Sequence, residues 1–89
     1  RQLSRLVERK ATREQIAKEI GPTYTLYNPQ LPHHGLRAFL AREPASLYGP
    51  VRAAVRDGRR VMYYTGAWQQ TWLFLDDEER LVGYWLNTQ

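Results

Sequence analysis

Seven of the eleven aromatic residues fall within the final 29 positions, 61–89, in three runs separated by turn-forming residues. Residues 60–65, 68–75 and 80–86 are rich in aromatic and aliphatic side chains, which fit a pleated, half-buried surface. Gly66-Ala67 and Asp76-Asp77-Glu78-Glu79 connect them. Links this short join antiparallel neighbours, so the spacing predicts a three-stranded antiparallel meander. In the middle run Trp68, Gln70, Trp72 and Phe74 share one face, and Gln69, Thr71, Leu73 and Leu75 share the other. Both faces are partly apolar. One must be covered by helices, which leaves aromatic or aliphatic area on the other for a second layer or a docking partner.

The helices are expected upstream. Leu3, Leu6 and Val7 are spaced for one helical face within residues 2–10, with Arg1, Arg5, Glu8, Arg9 and Lys10 on the solvated side. A second helix is bounded by chemistry. Thr12 is the N-cap, Gln15 completes a capping box, Ile16 and Ile20 share a face, and Gly21-Pro22 ends the helix. Residues 23–27 read as a short strand ending at Asn28-Pro29, and 28–35 as a loop. Leu36, Phe39 and Leu40 resume helical spacing up to Glu43-Pro44, and a further helix is expected over 50–57, opened by Pro50 and closed by Gly58. The expected architecture is one α+β domain over 1–89, two-layered, with N-terminal helices packed on a C-terminal three-stranded antiparallel meander.

Charge divides the chain. Residues 1–60 hold twelve Lys/Arg against five Asp/Glu, a net of +7, whereas 61–89 hold one against four, a net of −3. With no cysteine, a disulfide, a thiolate zinc site and a cysteine nucleophile are all excluded. The uncharged run 61–75 is interrupted by Thr65, Gly66, Gln69, Gln70 and Thr71, short of the roughly 20 apolar residues of a membrane-spanning helix. A chain opening on Arg1, without Met or an apolar leader, reads as a trimmed or processed product.

No reactive constellation emerges. Asp76 to Glu79 are four consecutive acids that diverge from a tight turn, unlike the interleaved ligands of a calcium loop, and they read as a solvated hairpin tip. His33 and His34 are adjacent, so their side chains diverge and cannot share one metal as residues four apart on a helix could. Ser4 and Ser46 lie outside any Gly-x-Ser-x-Gly turn. No Gly-rich phosphate loop occurs, and no metal or cofactor is expected. The basic half makes nucleic acid the alternative partner, with Arg-rich helices neutralising phosphates and aromatic strands stacking bases. Yet the helical cations are interleaved with Glu8, Glu14 and Glu19. The same cations would also suit an anionic lipid surface. Most aromatics are expected in the core, and Tyr64, Trp68 and Trp72, with Gln70 for orientation, are the expected partner-binding residues. An exposed meander edge is a second way to take up a partner.

The run Lys10-Ala11-Thr12-Arg13-Glu14-Gln15-Ile16-Ala17-Lys18-Glu19-Ile20-Gly21-Pro22 resembles the opening helix of the SmpA/OmlA (BamE-like) lipoprotein family. That family tends to read Thr, two residues, Gln-Val/Ile, then Leu/Ile-Gly-x-Pro. Tyr63-Tyr64, Trp72-Leu73-Phe74-Leu75-Asp76 and Leu81-Val82 resemble its closing strands. The resemblance covers about half the chain. It implies helices on a three-stranded antiparallel sheet, as in β-lactamase-inhibitor-protein-like modules, and a non-catalytic protein-binding role. It further implies a periplasmic setting, with anchorage to the outer membrane through a segment outside this sequence. The implied partner is an envelope or outer-membrane component, in support of outer-membrane protein assembly or envelope integrity.

Overall fold

The computed structural model describes residues 2–28, 60–66 and 69–88. Helices α1 (Gln2–Glu8) and α2 (Arg13–Ile20) precede strands β1 (Thr25–Tyr27), β2 (Val61–Thr65), β3 (Gln69–Leu75) and β4 (Leu81–Thr88). The helices expected near residues 36–43 and 50–57, the loop 28–35 beyond Asn28, His33, His34, Ser46 and Trp68 lie outside the described residues.

The sheet is antiparallel with the order β1-β2-β3-β4, which corrects the expected three-stranded meander to four strands. The sequence marks β1 as a short strand but does not join it to this sheet. It pairs with β2 through Thr25–Tyr63, Leu26–Met62 and Tyr27–Val61, across more than thirty intervening residues. Cross-strand neighbours share a face, and the register sorts the core into two clusters. On one face Met62, Leu73, Leu75 and Leu81 are buried with Leu6, Ala11 and Ile16 from the helical segment, and Leu3, Val7, Ile20, Leu26, Tyr64 and Tyr84 pack around them. On the other face Val61, Trp72 and Phe74 are buried, bordered by Tyr27, Tyr63, Val82 and Trp85. A β-bulge between Phe74 and Leu75 leaves Val82 as the extra residue of β4.

The helix ends follow from local chemistry. Thr12, extended at φ −77° and ψ 164°, accepts the Gln15 N–H at its Oγ1 (3.3 Å), and its own N–H donates to Gln15 Oε1 (2.9 Å). The capping box legible in the sequence is therefore formed. The end of α1 uses a residue the sequence does not advertise. Lys10 sits at φ 51°, its N–H donating to Val7 O and that of Ala11 to Leu6 O, both at 3.0 Å. This is a Schellman closure, and Leu6 and Ala11 supply the apolar contact that accompanies it. A side chain in this left-handed conformation is disfavoured by about 1 kcal/mol relative to glycine. Lys10→Gly is accordingly expected to raise stability by about 0.5–1 kcal/mol, read as a higher urea midpoint at unchanged slope.

The α1–α2 connection also lies along the start of β4. Leu81 N–H donates to Ala11 O (2.8 Å), Thr12 and Arg80 form an isolated antiparallel bridge, and Arg80 Nη1 donates to Lys10 O (3.0 Å). Glu79, at φ 57° in the hairpin turn, accepts the Arg13 N–H at its carbonyl (3.1 Å). Its carboxylate lies 3.3 Å from Arg13 and 3.7 Å from Arg60. The beginning of the sheet's long edge is thereby closed.

Candidate binding surface

Three of the four expected partner-binding residues lie within the described residues, and they do not form one surface. Trp72 is 0% exposed. Its ring centroid lies 4.3 Å from Tyr63, 6.0 Å from Tyr27 and 6.2 Å from Trp85, so in this structure it is core and not a free contact. Tyr64 projects to the opposite, helix-covered face, half-buried, with its hydroxyl donating to the carbonyl of Gly21 at 2.7 Å. It closes α2 onto the sheet. Gln70, half-buried, lies on β3 opposite Thr65 and Asn87.

Burial, and secondarily the neighbouring Tyr24 phenol 5.5 Å away between ring centroids, pushes the Tyr64 hydroxyl up from its ordinary 10.0 to about 12. Below pH 10 the phenol is protonated whether the chain is folded or not, and its stabilising contribution is complete. Above that the unfolded chain ionises first, and the contribution is lost as the pH rises through about 12. Tyr64→Phe is expected to cost about 1 kcal/mol at neutral pH through the lost hydrogen bond to Gly21. The variant should also show a smaller fall in stability than the parent between pH 10 and 12 in alkaline unfolding titrations.

At the hairpin tip three of the four acids come together and do not diverge as the turn suggests. Asp76, Asp77 and Glu78 offer oxygens within 4.8 Å of one another, but Asp76 Oδ1 already accepts the N–H groups of Glu78 and Arg80 at 2.9 Å each. It is a turn closure. Ser4 Oγ pairs with the Tyr84 hydroxyl at 3.3 Å, linking α1 to β4 in an arrangement without a base. Among the described residues four of the seven cations are engaged locally: Arg9 with Glu19 at 2.6 Å, Arg13 and Arg60 with Glu79, and Arg80 with the Lys10 carbonyl. Among the described residues no helix is long and apolar enough to cross a membrane.

The remaining candidate surface is the outer edge of β4. In an antiparallel ladder alternate residues turn both backbone groups to the same neighbour. Leu75 N–H donates to Arg60 O and Gln69 O accepts from Gly66, so the odd-numbered positions of β3 face β2 and the even ones face β4. Trp72 pairs with Trp85 and Phe74 with Gly83, so Gly83 and Trp85 point into the sheet. Tyr84 and Leu86 point their N–H and C=O groups outward. No strand among the described residues pairs with them. β4 reads Leu-Val-Gly-Tyr-Trp-Leu-Asn-Thr, without a charge or a proline to blunt the edge. Beside it, on the helix side, Ser4, Val7, Glu8, Gly83 and Tyr84 line an open hollow of about 400 Å³.

No family model, curated protein or solved structure matches this chain. The class defined by the coordinates is an α+β protein with an antiparallel sheet, and any narrower assignment rests on the residues themselves.

Proposed function

We propose that this chain is a non-catalytic protein-binding module of the bacterial cell envelope, a two-layer unit with its helices on one face of the sheet. The observation that carries the reading is the uncharged, proline-free β4, whose outward backbone groups at Tyr84 and Leu86 have no strand beside them among the described residues. An edge left this open is a template for another chain. The envelope setting rests on the resemblance of Lys10-to-Pro22 and of the closing strands to the SmpA/OmlA lipoproteins. Support of outer-membrane protein assembly or envelope integrity belongs to the same proposal. Nucleic-acid binding is less well supported. Arg9, Arg13, Arg60 and Arg80 are held by carboxylates or a carbonyl of the chain itself and are not arrayed for phosphates.

A photoreactive side chain at Leu86, compared with one at Lys18 on the exposed face of α2, tests the reading in an envelope fraction. Discrete protein adducts from position 86 and none from position 18, unaffected by nuclease, are expected. Adducts that vanish on nuclease treatment and at raised salt would instead favour nucleic acid.

A further inference from the structure

We infer that β4 takes up an extended peptide free of acidic residues as a fifth strand, with an apolar side chain of the peptide entering the hollow between α1 and β4. This rests on the protein-binding reading and names its ligand. A residue of an added antiparallel strand that sits opposite Tyr84 or Leu86 exchanges both backbone bonds with it, and its side chain falls on the face occupied by Tyr84 and Leu86. That is the helix-covered face. The side chain opposite Tyr84 therefore lies against Ser4, Val7 and Glu8, where the hollow of about 400 Å³ opens. A second hollow of about 330 Å³, lined by Gln2, Leu3, Ile20, Gln69, Thr71 and Leu86, lies over the β3–β4 pair and not beyond the edge. Recognition is thus by backbone, with side-chain selection at the peptide position opposite Tyr84. β4 itself carries no charge, and the one charged side chain lining the hollow is Glu8, so an acidic side chain on the peptide is rejected there.

The same geometry disfavours a second copy of the chain in the antiparallel arrangement. α1 approaches β4 more closely than any other strand and is tied to it by the Ser4–Tyr84 contact. A second β4 laid alongside would carry its own α1 on the same face, at the strand spacing of about 4.8 Å, where packed helices need about 8–10 Å. The open edge is also short, because Leu81 is closed by Ala11. Pairing through Tyr84 and Leu86 alone covers far less than the roughly 1,000 Å² of a stable dimer interface. A lone peptide brings no helix, and the hollow receives its side chain.

The test uses the full chain and a short synthetic peptide of alternating valine and threonine with a lysine at each end. Three forms are compared: unmodified, N-methylated at the valines, and N-methylated at the threonines. Valines in the hollow are the residues whose N–H groups face β4, so methylating them is expected to weaken binding about tenfold or more, while methylating the threonines leaves it unchanged. Hydrogen exchange at the Tyr84 and Leu86 amides should slow about tenfold or more with the unmodified peptide near saturation. Leu86→Pro removes an outward N–H without taking a bond from the β3 ladder, and is expected to abolish binding while the fold persists. Equal weakening by both methylations, or binding without slower exchange at these amides, overturns the inference. So does a dimer by sedimentation whose Tyr84 and Leu86 amides are protected without peptide. If no form of the peptide binds while position 86 still crosslinks to an envelope protein, strand addition is rejected and the protein-binding reading survives. If both experiments are blank, the two fall together.

Discussion

Trp72→Ala is expected to cost about 3–5 kcal/mol, a large part of the roughly 5–15 kcal/mol that holds a domain folded. The side chain is 0% exposed, flanked by Tyr63 on β2 and Trp85 on β4, with Tyr27 of β1 also within 6.0 Å between ring centroids. Truncation removes the apolar area of the ring and leaves a cavity bounded by three strands, which cannot collapse without breaking their register. Trp72→Phe keeps an aromatic partner for Tyr63 and should lose distinctly less. Urea unfolding followed by far-UV circular dichroism reads both, since a fluorescence probe would be altered by the substitution itself. A loss below about 0.5 kcal/mol for the alanine variant would mean that the ring lies at the surface. The consequence reaches function: failure of a Trp72→Ala protein to bind a partner reports a damaged core and not a lost contact. If β4 takes up a strand as proposed, Leu86 is the position where binding can be separated from folding.

What the sequence made legible depended on how locally each feature is determined. The Thr12–Gln15 capping box and the stop at Gly21 are set by residues three to nine apart, and they appear as expected. The assignment of Trp72 and Phe74 to one face and Leu73 and Leu75 to the other follows from strand alternation, and the two clusters respect it. Alternation says which residues share a face but not what covers that face, and for that reason Trp72 could be read as a docking residue. Pairing of β1 with β2 joins segments more than thirty residues apart, so no local signal gave the fourth strand. The Tyr64 hydroxyl meets Gly21, 43 positions away, a contact that no local pattern marks. At Lys10 the left-handed helix end was hidden because the residue there is not the glycine that usually marks it. The edge of β4 is legible in the sequence only in outline. The residues pointing outward follow from a register fixed by the bonds of Leu75 and Gln69, and not from the composition of β4.

Gly21→Ala carries the second large effect, and its origin is separable from packing. Gly21 ends α2 at φ 147° and ψ 154°, a region open essentially to glycine alone, and a Cβ built there meets nothing within 4 Å. The penalty is therefore one of backbone conformation, about 1–3 kcal/mol. Gly66→Ala is the matched control. Its φ lies outside the left-handed region and its Cβ would sit 3.5 Å from Gln69 O, an ordinary contact, so its cost should stay within about 1 kcal/mol. The Gly21 N–H donates to Ala17 O (3.0 Å) while its carbonyl accepts from Tyr64 (2.7 Å), so one residue both ends the helix and docks it on β2. If alanine relieves its strain by turning that carbonyl away, the Tyr64 hydrogen bond is lost in the same step. Combining Gly21→Ala with Tyr64→Phe should then destabilise by about 0.5–1 kcal/mol less than the sum of the single variants. Strict additivity would show that the helix end stays docked and bears the strain in place. The alkaline step belonging to Tyr64 separates these outcomes without a further substitution. With the carbonyl turned away and the phenol more exposed, Gly21→Ala should begin to resemble Tyr64→Phe in losing less stability between pH 10 and 12.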